Sequence, residues 1–370
     1  MKLLVLTSRY TATRDIIDED FGRQVRLFSA LQKRGHDVTF FVADYRKKER
    51  RDTVLHGMKV KIRPFSIFSF FPFFFELNRL LQKKAFDVFV ASGDPLWGIV
   101  GYWANRKAKL RFIYDLHDNY ETYAMYRVPF FKYLDRFAMR SADAIIAVTN
   151  QLKRKIQTVR KKDVIVIENG VDRSVFRPLD RTTCRNALKL PLDKKIIAFT
   201  GSICLIEGVD RLIDAFKTIQ SKRDDCMLLI AGRFVKGEEK YINLKQQGIV
   251  FVGSLPQKKI AVVINAADVA VIPYTANEQT IFGFPYKLFE YMACQTPVVA
   301  TAVGDIPAIL KNRANHLCNP DSIQSMAQTI EKHLKSDKVN FSNELRQYTW
   351  KALAEKMETP IGARSLKKSP

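Results

Sequence analysis

The sequence predicts an α/β protein built of two doubly wound domains with parallel sheets. Short apolar runs alternate with helical patterns along the whole chain. The runs are apolar at successive positions rather than at every second one, as strands covered on both faces require. At 370 residues and 47% hydrophobic content, the chain exceeds one ordinary domain and suits two of roughly 150–200 residues.

In the first half the strand candidates are residues 3–7, 38–42, 59–63, 88–91, 112–116, 144–148 and 164–167. Between the first two, "GRQVRLFSALQKRG" has the helical apolar period and ends on Gly35, a helix C-terminal signal. "SFFPFFFELNRLLQKK" (69–84) places Phe73, Phe74, Leu77, Leu80 and Leu81 on one helical stripe, with Pro72 suited to the first turn. Phe65, Phe68, Phe70, Phe71 and Phe75 fall outside that stripe. A second series of strands begins at "KIIAFTGS" (195–202) and runs through "CMLLIAG", "GIVFVGS", "DVAVIPY" and "TPVVAT". The polar stretch 173–194, with Pro178 and Pro191, reads as the linker. The expected division is 1–172, 173–350, and a C-terminal segment 351–370 whose last ten residues read as a disordered tail.

The net charge of +23 is spread over both halves, with local runs "RKKERR" (46–51), "RKAKLR" (106–111) and "KRKIQTVRKK" (153–162). Such a surface attracts nucleic acid, anionic lipid or acidic metabolites. No helix-turn-helix, zinc or RNA-binding signature supports nucleic acid. Five scattered cysteines without a C-x-x-C pair predict a reduced, cytoplasmic compartment and no metal site. "MKLLVLTSRY" reads as a first strand rather than a leader, and no run of about 20 apolar residues spans a bilayer. Membrane contact is therefore expected to be peripheral, on the cytoplasmic face.

"FGFPYKLFEYMACQTPVVAT" (282–301) carries the most specific chemistry. The turn Gly283-Phe284-Pro285 leads into a helix, so backbone N–H groups around Gly283–Lys287 are placed to face an anion such as a diphosphate. Glu290 lies a few residues further in, about 5–8 Å away at 1.5 Å per residue. That span matches a diphosphate and the ribose of one nucleotide, although the spacing alone also fits a solvated helix residue.

With "FGRQVRLFSALQKRGHDVTFFV" (21–42), "IENGVDRSVFRP" (167–178), "FTGSICLIEGVDRLIDAF" (199–216), "LLIAGR" (228–233), "IVFVGSLPQKKIAVVINAADVAVIPY" (249–274) and "YTWKALAEKM" (348–357), this helix resembles a family 4 retaining glycosyltransferase of the GT-B fold. The resemblance covers most of the chain, in family order. It implies two Rossmann-like domains facing across a cleft, the first for the acceptor and the second for a nucleotide-sugar donor, with the last helix crossing back from Trp350. It implies that Glu290 holds the donor ribose and that Gly22, in the loop after the first strand, lets backbone approach the phosphates. By the same resemblance Gly253, Ser254 and Leu255 receive the base, and His117 contacts the transferred sugar as the catalytic histidine. His36, in the "RGHDV" turn, reads as structural.

The departures are specific. Phe282 stands where relatives often carry a first glutamate. "GSICLIEG" offers Gly201, Ser202 and Glu207 where relatives carry a phosphate-clamping Arg and Lys. Lys287 is the expected substitute, with Arg233 or Lys236 as alternatives. The implied reaction is retaining sugar transfer to an acceptor hydroxyl, with no covalent intermediate and no metal or other cofactor. A catalytically silent relative that binds a nucleotide-sugar or scaffolds a glycan pathway is the alternative. Phe70, Phe71 and Phe75 beside basic runs suit an anionic membrane surface and hence a lipid-linked acceptor. A homodimer interface or packing against the preceding loop is the other reading of those phenylalanines.

Overall fold

The computed structural model describes residues 1–11, 14–83 and 85–362. The chain divides into two units, one made of residues 1–170 together with the segment from Trp350, the other of residues 171–349. The division falls at Gly170/Val171 and Thr349/Trp350, where the expected edges were 172/173 and 350/351. The stretch 173–194 is not a linker. It belongs to the second unit, with Phe176, Arg185 and Leu190 buried. From residue 363 on, the expected tail lies outside the described residues, as does Lys84 at the end of the Phe-rich stretch.

The first unit runs β1 (Lys2–Ser8), a small antiparallel pair β2 (Tyr10–Thr11) and β3 (Arg14–Asp15), α1 (Gly22–Lys33), β4 (Asp37–Asp44), β5 (Arg51–Leu55), β6 (Met58–Pro64) and α2 (Phe70–Gln82). It continues through β7 (Val88–Ser92), α3 (Pro95–Ala108), β8 (Arg111–Leu116), α4 (Phe131–Ser141), β9 (Ala144–Ala147), α5 (Asn150–Gln157) and β10 (Val164–Val166). Its sheet has the order β10-β9-β8-β7-β1-β4-β6-β5. All pairs are parallel except β5 with β6. The interior strands are apolar over most of their length because helices cover both faces; β7 and β9 are buried at every position. α1 ends as its sequence predicts. The N–H of Gly35 (φ +91°) bonds to Gln32 O and that of His36 to Leu31 O, the pattern of a Schellman cap.

β5 was not expected. It starts at Arg51, the last residue of the basic run, and the turn that joins it to β6 has positive φ at both His56 and Gly57, as a tight two-residue hairpin requires. "RKKERR" is accordingly not a bare basic patch: Arg50 pairs with Glu76, Arg51 with Asp18, and Glu49 with Arg9.

The connections β6–β7, β7–β8 and β8–β9 all step the same way across the sheet. Right-handed crossovers therefore put α2, α3 and α4 on one face, where α2 packs on α3 and α3 on α4. α2 begins at Phe70, making Pro72 its third residue, and buries Phe73, Leu77 and Leu81. Phe74 and Leu80 of the expected stripe are half-buried. Phe65 is also half-buried, its ring 5.1 Å from Phe73 and 5.0 Å from Trp97, so it is packing rather than surface.

The second unit runs α6 (Arg181–Ala187), β11 (Lys195–Ile203), α7 (Val209–Gln220), β12 (Cys226–Phe234), β13 (Ile249–Phe251), α8 (Gln257–Ala266), β14 (Val269–Ile272), α9 (Glu278–Phe282), α10 (Tyr286–Ala293), β15 (Val298–Thr301), α11 (Ile306–Ile309), β16 (Leu317–Cys318), α12 (Ile323–His333) and α13 (Ser342–Leu345). Its sheet is wholly parallel in the order β13-β12-β11-β14-β15-β16. The last helix, α14 (Trp350–Gly362), belongs to the first unit. Its Leu353, Ala354, Met357 and Ile361 complete the core formed by β1, β4 and α1. Glu358 on α14 accepts from Nε and Nη2 of Arg34, at 2.8 and 2.9 Å, and lies 3.3 Å from His36 Nε2, which gives the "RGH" turn its structural purpose.

Candidate functional site

In each unit the order of strands reverses around a central strand, and the crevice at the carboxyl ends there is where a parallel sheet receives ligands. In the first unit the reversal lies at β1 and β7. The loops after these strands and after β8 bring together Gly22, Gln24, Ser92, Asp94, Asp115 and His117.

Asp115 organises this cluster. Burial works against its charge, but Arg23 and His117 outweigh it and hold the carboxyl well below the usual carboxylate range. One carboxylate oxygen lies 2.8 Å from His117 Nε2 and accepts from Ser92 Oγ at 2.9 Å; the other faces Arg23 Nη2 at 3.1 Å. Arg23 is itself buried and donates to the Glu168 carbonyl and to Asn169 Oδ1. With the Nε2 proton given to Asp115, Nδ1 is the acceptor and meets the Gln24 amide at 3.3 Å. Any ligand hydroxyl reaching Nδ1 must displace Gln24.

Asp94 caps the same crevice. Its carboxyl makes no hydrogen bond among the described residues, and burial pushes it up while His117 pulls it down. Sequence reading missed Asp94, Arg23, Gln24 and Asp115. The available signals were Ser-Gly-Asp-Pro directly after a strand and two polar residues directly after Gly22. Gly22, at φ +95°, opens α1 in a conformation that L side chains rarely adopt.

In the second unit the reversal lies at β11 and β14. Gly201 and Ser202 lie near the end of β11, Arg233 is an exposed residue near the end of β12, and Gly253-Ser254-Leu255 follow β13. The Gly253 carbonyl accepts the Gly232 N–H at 2.8 Å, and Leu255 packs on the core below. Gly201 has φ +143°, and a Cβ there would lie 2.6 Å from Lys287 Nζ. Glycine is therefore what lets the lysine pass under this strand end.

Lys287 differs from its expected role. Its side chain is buried and pairs with the Glu207 carboxylate, with the ammonium 4.5 Å from the Phe199 ring centroid and 5.0 Å from that of Tyr274. It is thus a partly neutralised cation, not a free clamp. The expectation of open N–H groups from Gly283 to Lys287 is also too generous. Gly283 N–H bonds to Gln279 O, Tyr286 N–H to Phe284 O, and Pro285 has none. The Phe284 and Lys287 N–H groups stand outside these bonds. Phe284 stacks on Phe289 at 4.7 Å, and Phe282 ends α9 just before the turn.

Glu290 sits half-buried on α10, three residues after Lys287. Its carboxyl makes no side-chain hydrogen bond among the described residues. Desolvation pushes it up to about 7, against the pull of Lys287. A desolvated carboxylate without donors is an acceptor prepared for a ligand that brings hydroxyls.

Of the proposed membrane-contact residues, Phe71 and Phe75 are exposed, at 65% and 66%, while Phe70 is half-buried against Phe65 and Phe74. Phe70 is thus removed from the exposed set. Further exposed aromatics that sequence reading missed lie on or beside α3 and α4: Trp103, Phe130, Tyr133 and Phe137. Among the described residues no helix is long and apolar enough to cross a membrane, and no group of His, Cys, Asp or Glu is placed to hold a metal ion.

Two parallel-sheet units with ligand crevices at their strand ends define a GT-B fold. A model of Glycosyltransferase Family 4 matches residues 24–175 and one of Glycosyl transferases group 1 matches residues 194–336. The chain belongs to glycosyltransferase family 4. It is 25% identical over 232 residues to TuaC, a Bacillus subtilis protein named for teichuronic acid biosynthesis, covering 62% of this chain and 56% of that one. It is 27% identical over 241 residues to a D-inositol 3-phosphate glycosyltransferase of Corynebacterium aurimucosum, covering 59% and 56%. The chain thus spans little more than half the length of these curated relatives. Among solved structures, Anabaena HepE in complex with UDP and glucose superposes with a TM-score of 0.73 at 17% identity, covering 97% of this chain and 99% of HepE.

Proposed function

We propose that this protein transfers a sugar from a nucleoside diphosphate sugar to an acceptor hydroxyl, with retention of anomeric configuration. Glu290 carries the reading. Its unpartnered carboxylate, one turn into α10 and beside Lys287, suits the two hydroxyls of a donor ribose. Gly201 and the Phe284 and Lys287 N–H groups supply close backbone approach for the diphosphate. Gly253, Ser254 and Leu255 take the base. UDP and glucose in the HepE complex support a donor of this class. In the first unit His117, fixed by Asp115 and Ser92, faces the transferred sugar, and Asp94 receives the acceptor hydroxyl. The leaving diphosphate assists deprotonation of the acceptor, and no resident metal is required.

The acceptor is membrane-associated in this reading. Exposed aromatics on the face formed by α2, α3 and α4, among basic side chains, support peripheral contact with anionic lipid. A thermal-shift screen of nucleoside diphosphate sugars, followed by transfer assays with the stabilising donor in metal-free buffer, tests the proposal. No stabilisation by any donor overturns it.

The Glu207–Lys287 pair favours a second reading, a silent relative that binds nucleotide-sugar without turnover. Inactive wild-type protein that gains transfer when Ser202→Arg and Glu207→Lys are combined would establish it.

A further inference from the structure

Beside α2, a groove of about 510 Å³ is lined by four cations, Arg50, Lys61, Arg79 and Lys83, with Phe75 and Leu80 as its apolar wall. The single carboxylate on its lining, Glu76, is already shared between Arg50 and the buried Arg63, at 3.0 and 2.7 Å. Lys61 reaches Asp52 at 2.9 Å. Arg79 and Lys83 have no anionic partner among the described residues. They lie four apart in sequence, Arg79 in the last turn of α2 and Lys83 just past its end. A concave set of like charges on a low-dielectric wall focuses potential for a compact, multiply charged anion. Phe75, exposed on the rim, would enter lipid where a headgroup enters the groove.

We propose that this groove binds the phosphate of a lipid headgroup carrying more than one negative charge, a phosphomonoester or diphosphate. Arg79 and Lys83 are the recognising pair, and Phe75 and Leu80 lie along the first acyl or prenyl segment. This rests on the membrane reading above, but the phosphate chemistry can be measured without a bilayer.

Binding is measured to phosphatidylcholine vesicles carrying either phosphatidate or phosphatidylglycerol, adjusted to equal surface charge. The wild type is expected to bind phosphatidate vesicles at least tenfold more tightly. Arg79→Ala with Lys83→Ala is expected to abolish that preference. Phe71→Ser with Phe75→Ser should weaken both affinities and keep their ratio. Equal loss on both lipids in the Arg79/Lys83 variant reduces the groove to general charge and overturns the proposal. Inorganic diphosphate is then titrated without vesicles, with thermal unfolding as readout. Protection of the wild type beyond that of the Arg79/Lys83 variant supports the phosphate site even if vesicles do not bind, in which case the membrane reading alone fails. The absence of both the lipid preference and this protection overturns the site.

Discussion

The ammonium of Lys287 is bonded to the Glu207 carboxylate beneath the strand end at Gly201, held over the faces of Phe199 and Tyr274. The residue at the place where the resemblance implies a phosphate-clamping cation is thus an anion, and the buried Lys287 is spent partly on it. If Lys287 turns to the diphosphate when donor binds, Lys287→Ala should lower turnover about 10–150-fold, the equivalent of a 1.5–3 kcal/mol charge-assisted hydrogen bond. Ser202→Ala should change it little. Glu207→Gln should tighten nucleoside diphosphate binding severalfold by releasing the lysine. Unchanged kinetics in both charge variants would leave Lys287 a packing element only.

Glu290 gives a pH signature. Its carboxyl stands at about 7 in the fold against an ordinary 4.5. Between these values the folded state holds the proton more tightly than the unfolded chain, so this group's contribution to stability falls as pH rises from 4.5 to 7 and then levels. Glu290→Gln should therefore be more stable than wild type at pH 8, by about 1–3 kcal/mol after allowing for partial exposure, and equal to it at pH 4. If the ionised form accepts the ribose hydroxyls, as proposed, wild-type nucleotide affinity should rise about tenfold from pH 6 to 8. The Gln variant should be weaker at pH 8 and flat across the range. An unchanged dissociation constant at pH 8 refutes the ribose assignment.

The parallel sheets were legible because buried strands write themselves as continuous apolar runs. The Gly35 cap was legible because α1 ends where its apolar stripe ends. Missed features depend on pairing between distant positions. β5 is a half-exposed edge strand of sequence RDTVL, in which only Val54 and Leu55 are apolar, so no apolar run marks it. Pairing of Lys287 with Glu207, 80 positions apart, follows from the return of α10 beneath β11, which no local pattern records. Glu290 was legible as a candidate because its spacing from the Gly283 turn is local. Its lack of a partner was not.

Arg9 shows the same limit and makes a third prediction. It is fully buried at the end of β1 and bonded to Asp15, Asp18, Asp44 and Glu49. This ties the loop preceding Gly22 to the ends of β1 and β4. Burial works to raise Asp44 and Asp18. Backbone donors from Glu49 and Arg46, with Arg9, outweigh it at Asp44, and Arg51 with Arg9 outweighs it at Asp18, so both are held low. Depressed carboxylates contribute stability above their unfolded values and lose it as pH falls. Arg9→Met should cost about 3–5 kcal/mol in urea denaturation at pH 7, because it strands buried carboxylates. The cost should shrink towards pH 3 as they protonate. A cost below 1 kcal/mol at pH 7 would show that solvent replaces the arginine.

The exposed phenylalanines supply the last prediction, sharpened by the side chain that proved to be packed. Phe71 and Phe75 project from α2 with most of their surface in water, whereas Phe70 lies against Phe65 and stacks on Phe74 at an interplanar angle of 19°. A fully inserted Phe contributes up to roughly 1.5–3 kcal/mol, and each nearby Lys or Arg adds about 1 kcal/mol on an anionic surface. Phe71→Ser with Phe75→Ser should therefore weaken binding to phosphatidylglycerol vesicles at least tenfold, leave the melting temperature within a degree or two, and spare donor hydrolysis. Phe70→Ser should do the reverse, lowering the melting temperature with little effect on vesicle affinity per folded molecule. Phe130→Ser with Tyr133→Ser should also weaken vesicle binding, since α4 lies on the same sheet face as α2. High salt should weaken wild-type binding only in part, because the apolar contribution is not screened. If the Phe71/Phe75 variant binds vesicles like wild type but changes its sedimentation from dimer to monomer, the aromatic face joins two copies of this chain and does not meet lipid.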